Sequence, residues 1–302
     1  MIHVRDIPKS LWKISLVSVA AIWGGSFVVL KDALDSITPA RLMAIRFALT
    51  TLIIGLIFQR RILAHLDRKH LANGAILGLA YGGGYLLQTY GLAGTTPGKN
   101  AFLTSVYCVI VPLLNWLLIR KRPGANSFVA AVLAVAGVGL VSLSATGEGG
   151  LNSGDALTLC CSVMYAIHIV LVPRYARDCD VMTITLVQLA TCAMMCFIAG
   201  IGFEPAPALS VVTPELVGAF AYLVLLASCY AMVMQNFAQS IVEPASAALI
   251  MSLESVFAVL ASVLFYGEQL TAREIAGFAL IFLAVLLSEA VPMIRGKIAT
   301  TG

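Results

Sequence analysis

Charge is scarce in this chain. Only 11% of its 302 residues are Asp, Glu, Lys or Arg, against about 25% in a soluble domain. With 60% hydrophobic residues and a mean hydropathy of +0.96, no water-soluble packing of this length hides so much apolar side chain. The chain is therefore read as an all-α, polytopic membrane protein whose solvent is the lipid bilayer. A net charge of +4 is too small to imply nucleic acid. Seven cysteines (108, 160, 161, 179, 192, 196 and 229) show no disulfide-framework or zinc spacing. Cys192 and Cys196 share a helix face without a nearby acid or His and read as packing residues. No HExxH, Ser-His-acid or paired-acid pattern is present, so no enzyme is expected, and nothing asks for a cofactor. The P-loop-like "AGTTPGKN" at 93–100 has Ala93 in place of Gly and Asn100 in place of Ser or Thr, which removes an ATP-driven pump.

What the chain does have is long apolar runs. A bilayer core needs about 20 such residues per helix, and runs of that kind lie near 11–30, 39–58, 71–92, 98–119, 126–144, 154–173, 181–202, 214–240, 244–266 and 272–292. The first, behind Lys13, has the look of a leader, but it recurs in the second half and is read as retained. Ten spans put both termini on one side, and the cations choose which. Fourteen (Arg5, Lys9, Lys13, Arg60, Arg61, Arg68, Lys69, Arg120, Lys121, Arg122, Arg174, Arg177, Arg295 and Lys297) fall on the side of the N-terminus. Four (Lys31, Arg41, Lys99 and Arg273) fall on the other. That bias predicts a cytoplasmic-membrane protein with both termini in the cytoplasm.

The chain also repeats itself. Shifted by 147 residues, "YGGGYLLQTYGLAGTTPGKNAFLTSVYCVIV" (81–111) falls on "SCYAMVMQNFAQSIVEPASAALIMSLESVFA" (228–258) without a gap. Gln88 meets Gln235, Pro97 meets Pro244, Ser105 meets Ser252 and Tyr107 meets Glu254. A shift of 142 pairs Trp23 with Tyr165, Ser26 with His168 and Arg46 with Gln188. Units at 1–145 and 146–302 with five helices each, an odd number, enter the membrane in opposite senses. Two inverted five-helix repeats are the usual architecture of secondary transporters, with the substrate site at the repeat interface near mid-membrane.

"AAIWGGSFVVLKDALDSITPARLMAIRFALTTLI" and "EPASAALIMSLESVFAVLASVLFYGEQLTAREIAGFALIFLAVLL" resemble the two repeats of the EamA-type family in the drug/metabolite transporter superfamily. The shared marks are the Trp-Gly, the Arg-Phe and the Gly-Glu at Gly267 and Glu268. The resemblance covers nearly the whole chain. It implies a ten-helix 5+5 inverted-repeat fold and transport of a small organic molecule, often export. The chain departs from the pattern twice: Arg120-Lys121-Arg122 replaces the first Gly-Glu, and Ser255 stands where a Pro commonly follows the Glu. The second departure is expected to straighten the ninth span. A receptor or scaffold of the same fold is the alternative, although the short outer loops leave no room for the large outer domains of many receptors.

Helical spacing sorts the intramembrane polar groups. Tyr81, Tyr85 and Gln88 share a face of the third span; Ser228, Met232, Gln235 and Gln239 share one of the eighth. The fourth offers Asn100, Thr104 and Tyr107, the sixth Ser162, Tyr165 and His168, the first Trp23 and Ser26. Spans five and ten carry uninterrupted apolar stretches at 128–141 and 275–287 and read as outer scaffold or the contact with a second copy. Spans one to four and six to nine are expected to line the cavity. His168 is either a hydrogen-bonded packing residue or a ligand, and Gly82–Gly84 serve either close helix approach or a local break.

Two formal charges lie deep in spans. Arg46 is roughly 10 Å below the end of the second span and Glu254 about 15 Å from the end of the ninth, at 1.5 Å per residue. Such a charge costs about 2.5–3.5 kcal/mol even on the lenient insertion scale. The two either pair, or form opposite poles of a polar site. As poles, Arg46 takes an anionic and Glu254 a cationic group of an amino acid or other zwitterion. Trp23, Tyr81, Tyr85, Gln88, Tyr107, Tyr165, His168 and Gln235 then surround its body. Alternatively Glu254 carries a coupling proton.

Overall fold

The computed structural model describes residues 7–120, 125–142, 152–205, 213–266 and most of 271–287, and among these it contains helices and no strand. Three long helices come first, α1 (Lys9–Leu34), α2 (Pro39–His65) and α3 (Arg68–Ala93). The next span is split into α4 (Pro97–Thr104) and α5 (Tyr107–Ile119), and α6 (Ala125–Ser142) follows. The second half holds α7 (Ser153–Tyr175) and α8 (Val181–Phe203), then a span built of α9 (Pro214–Ala221), a π-helical stretch (Tyr222–Tyr230) and α10 (Ala231–Gln239). Its next span is split into α11 (Pro244–Met251) and α12 (Glu254–Tyr266), and a further apolar helical stretch covers Ile275–Ala284.

Seven helical segments among the described residues are long and apolar enough to cross a membrane: Lys9–Leu34, Pro39–His65, Pro97–Leu118, Ser153–Tyr175, Val181–Phe203, Pro214–Gln239 and Pro244–Phe265. Helices also occupy the other three expected places. α3 has the length, at 26 residues, but its Gly, Tyr and Gln content lowers its hydropathy because one face is built for contact with polar neighbours. α6 and the Ile275–Ala284 stretch have apolar cores of ten residues each. Leu52, Leu56, Ile57, Phe197 and Ile201 stand exposed on α2 and α8, an arrangement that needs hydrocarbon around it. This is a multi-pass membrane protein.

Helix starts are set by short local signals. Pro occupies the first turn of α2, α4, α9 and α11, where its missing N–H costs nothing. Thr96, Asn152, Asp180 and Thr213 each cap the N–H three residues on. α2 is capped from elsewhere: Glu204, at the end of α8, accepts from Thr38 Oγ1 at 2.6 Å, Ala40 N at 2.8 Å and Arg41 N at 3.1 Å. Tyr90 of α3 donates to the same carboxylate at 2.7 Å, so one side chain gathers three helix ends.

The 147-residue shift is visible in the helices themselves. α4 and α11 are eight residues each, α5 and α12 thirteen, and the breaks between them fall at 105–106 and 252–253. Pro112 lies inside α5, whereas Val259 stands at the matching place, so proline does not cause the shared break. The matched serines sit at it. Ser105 Oγ turns back to Ala101 O at 3.0 Å and Ser252 Oγ to Leu249 O at 2.7 Å, hydroxyl competition that weakens the helical ladder. Ser255 adds to it by donating to Ser252 O at 2.7 Å. The expectation of a straight ninth span is thus corrected: the helix is interrupted at 252–253 without a proline, where the Ser252 and Ser255 hydroxyls compete for its carbonyls.

Packing follows the same exchange. α3 packs along α7 and α8, while the 214–239 span packs along α1 and α2; α12 lies against α1, and α5 against α7. Close approach is allowed by small residues. A Cβ on Gly24 of α1 would run into Phe257 Cβ and lie 2.7 Å from Ala258 N. α3 passes unbroken through Gly82–Gly84, and a Cβ on Gly84 would sit 2.6 Å from the Tyr165 ring. These glycines therefore serve approach, not a break.

Candidate functional site

A narrow cavity lies between the two halves. α1 contributes Trp23, Ser26, Phe27 and Leu30, α3 contributes Tyr81, Tyr85 and Gln88, and α5 contributes Tyr107. From the second half come Tyr165, His168 and Ile169 of α7, Gln235 of α10, Met251 of α11 and Glu254 of α12. Nine of the ten residues singled out from the sequence share this one wall; the tenth, Arg46, does not.

Repeat-related residues build the polar frame. Tyr81 OH donates to Gln235 Oε1 at 2.8 Å, and Tyr165 OH donates to Gln88 Oε1 at 2.9 Å. Each glutamine thus accepts from a tyrosine of the opposite half. Gln88 Nε2 in turn donates to Thr104 Oγ1 at 3.0 Å. Where the halves meet, residues touch their own counterparts. Tyr107 OH donates to Glu254 Oε1 at 3.1 Å, and Ser105 Oγ lies 3.4 Å from Ser252 O. Both pairs are separated by 147 in sequence, as expected where a pseudo-twofold axis runs between two copies.

Three tyrosines pack ring to ring around the space. Tyr85 meets Tyr81 and Tyr165 edge-on, with centroids 5.0 and 5.5 Å apart, and Tyr81 lies 5.7 Å from Tyr165. The His168 ring lies tilted against Tyr81 with centroids 4.4 Å apart, and its Nε2 is 3.2 Å from Gln188 Oε1. Such contacts hold large rings in fixed orientation.

The two deep charges do not meet. Among the described residues Arg46 and Glu254 form no salt bridge with each other. Arg46 is fully buried. Its Nε donates to Ser228 Oγ at 2.7 Å and its Nη2 to Ala227 O at 3.1 Å. The guanidinium lies 5.0 Å from the Tyr85 ring centroid and 5.6 Å from that of Phe47. The π-helical stretch explains the arrangement. Ser228 Oγ donates to Leu223 O, five residues back, at 2.8 Å, and Ala227 O accepts from Trp23 Nε1 at 2.9 Å as well as from Arg46. Irregular turns of this kind commonly occur at functional sites. Of the two readings, a direct pair or opposite poles, the direct pair is not formed: Arg46 turns to Ser228 and Ala227 of the Tyr222–Tyr230 stretch.

Other expectations about the wall are corrected as well. α2 and α8 contribute no lining side chain, because both lie a layer further out. Asn100 and Thr104 work in the frame instead. Asn100 Nδ2 donates to Thr158 Oγ1 at 2.7 Å and to Gln88 O at 3.2 Å. On α10, Gln239 Nε2 is used at Met251 Sδ, 3.4 Å away. Phe27, Leu30, Ile169 and Met251 escaped a search for polar groups, although Phe27 and Leu30 follow Trp23 at helical spacing and Met251 shares the face of Glu254. A second missed feature is a buried ion pair at helix starts. Lys99 Nζ lies 2.6 Å from Asp155 Oδ2, with side chains 6% and 0% exposed. The Asn152–Asp155 capping spacing was its sequence signal. All seven cysteines are free thiols, with Cys192 and Cys196 buried in the core.

With the cavity at a repeat interface, comparison with known proteins becomes informative. Residues 10–143 and 152–289 both match the EamA-like transporter family. The chain belongs to that family. An "Uncharacterized transporter" of Archaeoglobus fulgidus is 32% identical over 279 residues, 91% of this chain and 84% of the relative. A second from that organism is 28% identical over 245 residues, 78% and 82% of the two chains. The "Uncharacterized transporter YwfM" of Bacillus subtilis is 30% identical over 190 residues, 61% of each. One solved structure, titled "Crystal structure of protein", shares the fold at a TM-score of 0.78 with 16% identity, covering 93% of this chain and 97% of its own. The family and these relatives carry the name of transporters, not of enzymes. This EamA-like chain is thus a membrane transporter by family.

Proposed function

We propose that this protein is a secondary transporter that carries small organic metabolites across the cytoplasmic membrane by alternating access, in the direction of export. The proposed topology has ten spans in two inverted five-helix units, 1–145 and 146–302, with both termini in the cytoplasm. The observation that carries this reading is the cavity: its wall is drawn from both halves, and its polar frame is made by repeat-related side chains. Inverted-repeat transporters bind at such an interface and rock one half against the other. The matched breaks at 105–106 and 252–253 supply hinges in both halves, and Glu254 is the group proposed to carry a coupling proton. α6 and the Ile275–Ala284 stretch are the proposed contact for a second copy.

The test begins with a metabolite-library thermal-shift screen on the purified protein, followed by flux of each stabilising solute in proteoliposomes. A bound solute that crosses under an imposed proton gradient supports transport. A solute that binds and never crosses would overturn it in favour of a receptor of the same fold. A Glu254→Gln variant that keeps proton-driven, pH-dependent flux removes the coupling role. An amino acid remains among the solutes to screen, but Arg46 would first have to leave Ser228 and Ala227 to meet a carboxylate.

A further inference from the structure

We infer that the cavity selects a lipophilic organic cation, a protonated amine or quaternary ammonium whose positive end faces Glu254 inside a cage of tyrosine and tryptophan rings. The inference rests on the cavity being the solute site.

Charge is the first argument. Glu254 is the sole acid of the wall, and the wall contains no Lys or Arg. Among the described residues its carboxylate accepts one hydrogen bond, from Tyr107 at 3.1 Å, which leaves its second oxygen for a ligand. Arg46, the cation that would serve an anionic group, is fully buried outside the lining and held by Ser228 and Ala227.

Donors are the second argument. An anion needs N–H or O–H groups, and most of those in the wall are already spent. Tyr81, Tyr165 and Tyr107 give their hydroxyl protons to Gln235, Gln88 and Glu254. Trp23 gives its indole proton to Ala227 O, and Gln88 gives one amide proton to Thr104 Oγ1. Toward the space stand the Glu254 carboxylate, phenol oxygens and the negative faces of aromatic rings. Aromatic faces attract a cation within about 6 Å of the ring centroid, and a desolvated ammonium most strongly.

Size and hardness separate an organic from an inorganic cation. Calcium takes six to eight oxygen ligands, and among the described residues no group of three metal-ligating side chains exists. Phe27, Leu30, Ile169 and Met251 line the rest of the space and would cover a hydrocarbon body, as in most small-molecule pockets.

The experiment titrates purified protein in nanodiscs with three phenyl probes of different charge, benzyltrimethylammonium, phenylalanine and 3-phenylpropionate, using calorimetry. Benzyltrimethylammonium should bind at least about tenfold more tightly than either of the others. Glu254→Gln should raise its Kd about tenfold or more, and Glu254→Asp, which keeps the charge, should restore most of the affinity. The wild-type probe series decides the question even if a variant fails to fold. Tighter binding of phenylalanine or phenylpropionate, no binding of the cation up to millimolar concentration, or an unchanged Kd in a folded Glu254→Gln protein overturns the inference. Flux is scored separately. A cation that binds without crossing sinks the transport proposal alone, and a transported solute without positive charge sinks the cation inference alone.

Discussion

Replacing Gly24 by alanine should loosen the bundle at the wall of the cavity. The new Cβ would lie against Phe257 Cβ, 2.7 Å from Ala258 N and 2.8 Å from Glu254 O, where ordinary contact begins at 3.4 Å. Two of those three neighbours are backbone atoms of α12, so no rotamer change relieves the clash, and α1 and α12 must part by at least roughly 0.7 Å. Overpacking of this kind costs about 1–3 kcal/mol. At about 2–4 °C per kcal/mol, the figure for chains of about 150–250 residues, the midpoint should fall by roughly 2–12 °C. Thermal unfolding in detergent, followed by tryptophan fluorescence, measures it. Gly139 of α6 is the control. A Cβ there meets nothing within 4 Å, so Gly139→Ala should cause no loss and a gain of up to about 1 kcal/mol from helix propensity. A Gly24→Ala protein as stable as wild type, or a Gly139→Ala protein that falls equally far, would refute close packing as the reason for Gly24.

Two more perturbations probe the polar groups at the helix ends. Burial pushes the Glu204 carboxyl up, but donors from Thr38, Ala40, Tyr90 and Arg41 outweigh it and hold the group below its usual range. Its stabilising contribution is therefore complete above the unfolded value of about 4.3 and fades as pH falls through the lower folded value. Glu204→Gln should unfold at lower temperature than wild type at pH 7, with the gap closing below about pH 4; a gap that persists in acid contradicts the capping role. Lys99→Met leaves the Asp155 carboxylate buried without its cation, at a cost of about 3–5 kcal/mol. The double variant Lys99→Met/Asp155→Asn should cost less than the single one in thermal unfolding, and simple additivity would show that the pair is not coupled.

Much of this was legible because a bilayer constrains sequence strongly. Runs of apolar residues revealed helices, and cation placement predicted their sense. The 147-residue shift was readable because glutamine, proline and serine are rare enough in such a chain for matches to carry weight. The equal lengths of α4 and α11 and of α5 and α12 follow the same shift. Helical spacing brought Tyr81, Tyr85 and Gln88 to one face, and that face does line the cavity. Polarity was the signal used, so the apolar wall residues Phe27, Leu30, Ile169 and Met251 gave none that differed from core.

By itself the sequence determined that the chain is membrane-embedded, helical and doubled, since composition, run length and self-similarity are properties of a string. Tertiary structure decided what each polar group faces. A deep Arg and a deep Glu look like partners along a chain, because each is costly alone and opposite in sign. In space a widened helical turn offers Arg46 the Ser228 hydroxyl and the Ala227 carbonyl, while Glu254 meets the tyrosine that is its own counterpart in the repeat. Helix packing sets which of several possible partners lies within 3 Å, and no periodicity within one helix carries that information.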